Sequence, residues 1–67
     1  MKDVIVGGML KKERHAYIIK QLNLHNKVLS SDLSFQLKVS EDTIRRDLNE
    51  LAENGKILKV HGGALSK

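Results

Sequence analysis

The segment S-E-D-T-I-R-R-D-L, residues 40–48, constrains the fold of this chain more than any other stretch. Ser40 followed by two acidic residues predicts a helix that begins directly after a serine cap. Ile44, Leu48 and Leu51 recur at i, i+4 and i+7, which predicts one buried stripe along that helix. Its outer side then presents groups that hydrogen-bond phosphate oxygens and base edges in a DNA groove. These groups belong to Thr43, Arg45, Arg46 and Asn49.

Two helices are predicted upstream of this one. The first runs from Leu10 or Lys11 to about Leu24, where apolar residues repeat at helical spacing, and Asn26 suits its left-handed end. Val28 and Leu29 are long enough for a minimal strand only. The second helix is predicted to begin at a cap formed by Ser30 or Ser31 and to end near Leu37. Three residues then connect it to the next helix, which is the helix-turn-helix arrangement.

A β-hairpin is predicted downstream. Asn54-Gly55 ends the third helix, residues 56–60 form a strand, and the turn at residues 61–63 leads into a return at residues 64–65. We expect Leu58 and Val60 to pack on the helices and Lys59 to point the other way. The predicted fold class is mainly α with a small β-hairpin, a winged helix-turn-helix made of a three-helix bundle plus a wing. Residues 10–67 form this domain, and residues 1–9 are predicted to be a flexible N-terminal leader, with a short strand at residues 4–6 as the alternative.

Composition narrows the possible functions. The chain has 67 residues, a net charge of +4 and no cysteine, which excludes thiolate chemistry and cysteine-ligated zinc. His15, His25 and His61 lack the spacing of a metal site, so we expect no metal. A chain this short needs its apolar groups for folding and leaves no pocket to orient catalytic residues, so we expect no enzyme and no cofactor. No apolar run approaches the roughly 20 residues of a membrane span, and we expect a cytoplasmic protein. The positive charge suits a polyanionic partner.

The residues resemble the N-terminal DNA-binding domain of the DeoR family of bacterial transcriptional repressors. The resemblance covers about residues 11–65 and ends in V-H-G-G-A at the wing. Its first-helix positions are Arg14, Ile18 and Leu22. Its third-helix positions are Ser40, Thr43, Ile44, Arg45, Arg46, Asp47 and Leu48.

The resemblance implies a third helix that enters the major groove of a double-stranded operator. Thr43, Arg45 and Arg46 would then be DNA contacts, with Ser40 near a phosphate. It also implies control of a sugar-metabolism operon, with repression relieved when a larger C-terminal domain binds a sugar phosphate. Since that domain is absent from this sequence, we expect a DNA-binding fragment of a longer protein that is a homo-oligomer.

Two positions depart from the family pattern. Lys38 stands in the turn where the family usually has glycine, and a left-handed lysine costs roughly 1 kcal/mol there. Leu29 replaces the usual Ser or Thr cap, which we expect to shift the cap of the second helix toward Ser30.

Each candidate contact has a plainer alternative. Arg45 and Arg46 are interpreted as DNA contacts rather than solvated charges because they lie at the front of a capped helix. The Asn49 amide can hydrogen-bond to adenine or only to water, and the sequence favours neither alternative. Lys59 and His61 on the wing are interpreted as phosphate or minor-groove contacts, the alternative being a solvated hairpin. Asp47 would repel phosphate, and we expect it to form a structural ion pair, with Arg14 as one candidate partner.

Two other functions fit the same fold. A winged helix that binds proteins usually lacks a basic outer face on its third helix, whereas this chain keeps Arg45 and Arg46. RNA-binding modules favour exposed aromatic residues for stacking. Because we expect both aromatics, Tyr17 and Phe35, to be buried, the sequence favours duplex DNA as the partner.

Overall fold

The computed structural model of the protein describes residues 10–67, and the predicted leader lies outside these residues. Six elements follow in order: α1 Lys11–His25, β1 Lys27–Leu29, α2 Ser30–Leu37, α3 Glu41–Glu53, β2 Ile57–Val60 and β3 Gly63–Ser66. Three helices and a hairpin confirm the predicted winged helix-turn-helix. None of the helices in this part of the chain combines the length and apolar character needed to cross a bilayer.

The three strands form one antiparallel sheet in the order β1-β3-β2. The predicted minimal strand is present as β1, which pairs with the second strand of the hairpin and places Val28 opposite Ala64. In the hairpin, Val60 pairs with Gly63, so the loop between the strands is His61-Gly62. Gly63 lies against β1 so closely that a Cβ there would be 2.0 Å from the Val28 carbonyl oxygen. The wing is thereby fixed to the segment that leads into α2.

Backbone conformations at the helix ends match most of the sequence predictions. Asn26 ends α1 with φ 67°, and Gly55 follows α3 with φ 75°. Lys38 ends α2 with φ 60° and ψ 40°, so the turn is left-handed at the position where the lysine stands. A side chain at this position carries the strain that glycine avoids.

The prediction that Ser30 or Ser31 caps α2 is wrong. Leu29 occupies the cap position in an extended conformation, and no side chain caps the helix there. Ser30 is the first helical residue, and its buried hydroxyl has no hydrogen-bond partner among residues 10–67. Its backbone N–H donates to the Gly62 carbonyl oxygen at 2.8 Å. The wing's turn therefore accepts a hydrogen bond from the start of α2.

The core is aliphatic and draws on every element. Ile18 and Leu22 of α1 confirm the predicted face of the first helix, and Ile44, Leu48 and Leu51 confirm the stripe of α3. The remaining buried apolar residues are Val28, Leu33, Leu37, Ile57 and Ala64. This core fixes the outer side of α3 relative to α1.

Two burial predictions are wrong. Ile57 is the buried residue of β2 at 2% exposure, whereas Leu58 is 47% exposed and Val60 is half-buried. Leu58 lies opposite Leu65 in the hairpin, and both side chains are exposed. Phe35 is 76% exposed, and the Lys38 ammonium lies 5.3 Å from the centre of its ring. Its exposure removes the burial argument against RNA.

Candidate nucleic-acid interface

The start of α3 carries two hydroxyls in direct contact. The Ser40 Oγ accepts a hydrogen bond from the Thr43 backbone N–H at 3.1 Å, which confirms the predicted serine cap. The same oxygen lies 3.1 Å from the Thr43 Oγ1, so one hydroxyl proton is shared between the two side chains. The other hydroxyl proton remains available to an acceptor outside the domain.

Asp47 faces inward from the middle of α3 and is 2% exposed. Arg14 donates from Nε to Oδ2 at 2.6 Å and from Nη2 to Oδ1 at 3.0 Å. His15 Nε2 lies 3.3 Å from the Asp47 Oδ1. The hydrogen bond with Asp47 raises the pKa of the Arg14 guanidinium, although burial opposes that rise. The predicted structural ion pair is confirmed, and it joins α3 to α1.

The outer side of α3 distinguishes its two arginines. Arg45 forms an ion pair with Asp42, one turn earlier, and both side chains are exposed. Arg46 is also exposed, and it makes no ion pair with any residue in the range 10–67. Asn49 is exposed on the same helix. Arg46 therefore presents a guanidinium that is not already engaged by a carboxylate of the described domain.

A shallow groove runs between the beginning of α1 and the outer side of α3. Thr43 and Arg46 line it together with Lys11, Arg14, Asp47 and Glu50. Lys11 reaches across from α1, and its Nζ lies 3.1 Å from the Glu50 Oε2. The sequence interpretation missed Lys11 and Glu50. They lie 39 residues apart, and no local pattern links them.

The charge of α3 shows why these ion pairs matter. Residues 41–53 contain five carboxylates and two guanidiniums, a formal charge of −3. Asp47 is neutralised by Arg14 and Glu50 by Lys11, both from α1, while Asp42 is paired within α3. A helix of this composition suits a polyanion only when its acidic groups have such partners.

The wing contributes two further candidate residues. The Lys59 Nζ donates to the Val60 carbonyl oxygen at 2.8 Å, and its side chain is half-buried. His61 is exposed in the hairpin loop, next to Gly62 with φ 80°. The hydrogen bond of Lys59 uses one of the three donors of its ammonium, which leaves the others for a second acceptor. Within residues 10–67, no three His, Cys, Asp or Glu side chains are grouped as a metal site would require.

Comparison with known proteins gives a family match over most of the chain. Residues 14–67 match the DeoR-like helix-turn-helix domain. The L-fucose operon activator of Escherichia coli is 51% identical over 55 residues, which are 82% of this chain and 23% of that protein. The transcriptional regulator FruR of Bacillus subtilis is 48% identical over 56 residues, 84% of this chain and 22% of that protein.

A named repressor is similar to the same degree. The glycerol-3-phosphate regulon repressor of Escherichia coli is 46% identical over 56 residues, 84% of this chain and 22% of the repressor. The chain thus spans less than a quarter of the length of these curated relatives. No solved structure matches it.

Proposed function

We propose that this chain, which belongs to the family of DeoR-like helix-turn-helix domains, is the part of a carbohydrate-gene regulator that binds one specific DNA sequence. Membership confirms the predicted resemblance and the predicted DNA partner. The relatives are transcriptional regulators, which confirms that the chain is not an enzyme. Which residues contact DNA, which operator they bind and which genes are regulated belong to the proposal.

Arg46 is the residue on which the proposed reading mechanism rests. It is exposed, unpaired within the described domain, and lines a groove with Thr43. A guanidinium can donate two hydrogen bonds to O6 and N7 of guanine in the major groove. Asn49 lies about 60° from Arg46 around the helix, where its amide would meet a neighbouring base. We assign base reading to Arg46 and Asn49.

The hydroxyls of Ser40 and Thr43 and the guanidinium of Arg45 suit contacts with the DNA backbone. Ser40 and Thr43 share one hydroxyl proton and can donate the other to a phosphate oxygen. Arg45 is held by Asp42 in an exposed pair, and such a pair contributes about 0–1 kcal/mol. A phosphate can therefore displace Asp42 at little cost. We assign these three residues to phosphates beside the major groove.

The wing would lie along the duplex and contribute charge rather than base recognition. Lys59 retains unused ammonium donors, and His61 is exposed at the tip of the loop. Contacts of this kind position the domain without reading sequence. We therefore propose that Lys59 and His61 contact the backbone, or the minor groove that it borders.

The function of a whole regulator is proposed from the names of the relatives. Those names include an activator of an L-fucose operon and a repressor of a glycerol-3-phosphate regulon. We propose repression of a sugar-metabolism operon in the bacterial cytoplasm, by a homo-oligomer whose subunits read adjacent half-sites. A sugar phosphate bound outside this domain would be the effector. Whether binding represses or activates depends on where the operator lies relative to the promoter, so a reporter carrying the selected site tests that choice.

Selection from a randomised duplex pool tests the reading mechanism. The unmodified domain should enrich one sequence, and the Arg46→Ala variant should lose preference at one guanine, by about 1–3 kcal/mol. Lys20→Ala removes an exposed cation from α1 and is the matched control, because it should leave the enriched sequence unchanged. Enrichment of the same sequence by Arg46→Ala would remove the assignment.

The exposed ring of Phe35 makes an RNA arm necessary in that experiment. Single-stranded RNA of random sequence should compete for the domain no better than random duplex DNA. Stronger competition by the RNA, abolished by Phe35→Ala, would favour stacking of bases on Phe35 over duplex reading.

A further inference from the structure

We propose that Lys11 is an additional phosphate contact, and that Glu50 is a specificity-determining residue whose charge Lys11 neutralises at the DNA surface. This inference rests on the proposed function, because it assumes that the outer side of α3 lies against a duplex. Neither residue belongs to the third-helix or wing pattern that the sequence reveals. The contact between them, across the groove from α1 to α3, is what brings them to the reading surface.

The position of Glu50 places a carboxylate beside the proposed reading residue. Glu50 follows Arg46 by one helical turn, which is about 40° around the helix axis. Both line the groove that also contains Thr43. A carboxylate at this position faces the same phosphates and bases as Arg46, and unpaired it would repel the phosphates.

Lys11 is suited to remove that repulsion and to bind DNA at the same time. Its Nζ donates to Glu50 Oε1 at 3.2 Å and to Oε2 at 3.1 Å. An ammonium has three donors, so one remains for a phosphate oxygen. Lys11 can therefore bridge Glu50 and the DNA backbone. The bridge then depends on the position of α3 relative to the duplex.

The other ion pairs of α3 do not have this property. The Arg14–Asp47 pair is largely buried and holds the two helices together. The Arg45–Asp42 pair lies within α3 and can be exchanged without involving another element. Lys11 and Glu50 have exposed side chains on different helices, so a phosphate of a displaced duplex can draw the Lys11 ammonium away from Glu50. A misplaced duplex then meets a carboxylate that Lys11 no longer neutralises as well.

A double-mutant cycle on Lys11 and Glu50 tests the bridge. Affinity would be measured for the duplex selected by the unmodified domain and for a scrambled duplex of equal length, from 50 to 200 mM salt. Lys11→Ala should weaken binding to the selected duplex and reduce the salt slope by about one unit. Over that range the slope change corresponds to roughly a threefold to fourfold smaller loss of affinity with salt.

Lys12→Ala is the matched control. Lys12 is the next residue of α1, is exposed, and has no ion pair within residues 10–67. Its substitution by alanine removes the same charge as Lys11→Ala. Its substitution should change the salt slope by less than half as much. Equal effects of the two substitutions at every salt concentration would overturn the assignment of Lys11.

Glu50→Gln tests the second half of the proposal. Removing the carboxylate should tighten binding to the scrambled duplex more than to the selected one, so that discrimination falls. In the Glu50→Gln background, Lys11→Ala should cost less affinity than in the unmodified domain, because no carboxylate is left exposed. Equal costs in both backgrounds would overturn the role of Glu50.

Two further measurements keep the outcomes distinct. Circular dichroism and thermal melting of each variant identify loss of folding, and Lys11→Gln replaces Lys11→Ala if the latter melts early. Arg46→Ala is measured alongside. If it retains full selectivity, the proposed reading function fails. If it loses selectivity while Lys11→Ala behaves like Lys12→Ala, only the bridge is wrong.

Discussion

Arg14 and Asp47 are joined by two hydrogen bonds of 2.6 and 3.0 Å between α1 and α3. Asp47 sits beside the core residues Ile44, Leu48 and Leu51 and is 2% exposed. A carboxylate in such surroundings is tolerated only when a cation and hydrogen bonds satisfy it. The pair therefore fixes the orientation of α3 relative to α1, and with it the proposed reading surface.

Arg14→Ala should strongly destabilise the domain. Removing one member of a buried pair costs about 3–5 kcal/mol. In Arg14→Ala the buried Asp47 carboxylate keeps only the longer contact with His15, at 3.3 Å. A core of this size supplies only about 3–5 kcal/mol in total, so the variant should be mostly unfolded. Urea unfolding followed by circular dichroism measures this. The pKa of Arg14 is raised in the folded domain. The contribution of Arg14 to the free energy of unfolding is therefore fully present below the pKa that its side chain has in the unfolded chain, and it is lost only at strongly alkaline pH.

Two variants separate burial from charge. Arg45→Ala removes a guanidinium from an exposed pair and should cost less than about 1 kcal/mol. Replacing both buried partners, as Arg14→Met with Asp47→Leu, should restore most of the stability, since no unpaired charge remains. If Arg14→Ala and Arg45→Ala unfold at the same urea concentration, the pair does not hold the helices together.

Lys38→Gly should leave the domain as stable or stabilise it by up to about 1 kcal/mol. Lys38 has φ 60°, and a left-handed residue other than glycine costs about 1–2 kcal/mol. Two effects oppose the relief of this strain. Glycine has greater conformational freedom in the unfolded chain, and the contact between Lys38 and Phe35 is lost. Thermal unfolding provides the measurement. Lys20→Gly, inside α1, should instead lose about 1 kcal/mol, and the same loss at Lys38 would contradict the prediction.

The sequence predicts α3 well because its determinants are local. The Ser40 cap and the spacing of Ile44, Leu48 and Leu51 act within the helix itself, and both are confirmed. The cap of α2 follows a different rule. Leu29 pairs with Gly63 in the sheet, so the strand fixes its extended conformation regardless of its side chain. A pairing 34 residues away in sequence determines that helix start, and no local pattern shows it.

The candidate site shows the same division. Exposure of Arg45, Arg46 and Asn49 follows from their helical positions, and Thr43 on the flank is half-buried. Ion pairing across helices depends instead on the fold. Lys11 and Glu50 meet because α1 packs across α3, and Arg45 is partly occupied by Asp42. In β2, apolar residues lie on both faces, and a shift of one residue exchanges them. The pattern of β2 therefore does not distinguish its two faces, and the prediction that Leu58 packs on the helices is wrong.

Ile57 and Leu58 are adjacent and should respond very differently to alanine. Ile57 is 2% exposed and part of the core, so Ile57→Ala should cost about 2–5 kcal/mol through lost burial and a cavity. Leu58 is 47% exposed, so Leu58→Ala should cost less than about 1 kcal/mol. Urea unfolding of the two variants compares them directly. A larger loss at Leu58 would show that the opposite face of β2 is buried.

Gly63→Ala should damage the wing more than Gly62→Ala does. A Cβ on Gly63 would lie 2.0 Å from the Val28 carbonyl oxygen, so β1 and β3 must separate, which we expect to cost about 2–3 kcal/mol. Gly62 has open space around it, and alanine there bears only the strain of φ 80°, about 1 kcal/mol. Urea unfolding measures both costs. Equal losses would mean that backbone strain, rather than the close approach of β1, determines the need for glycine in the wing.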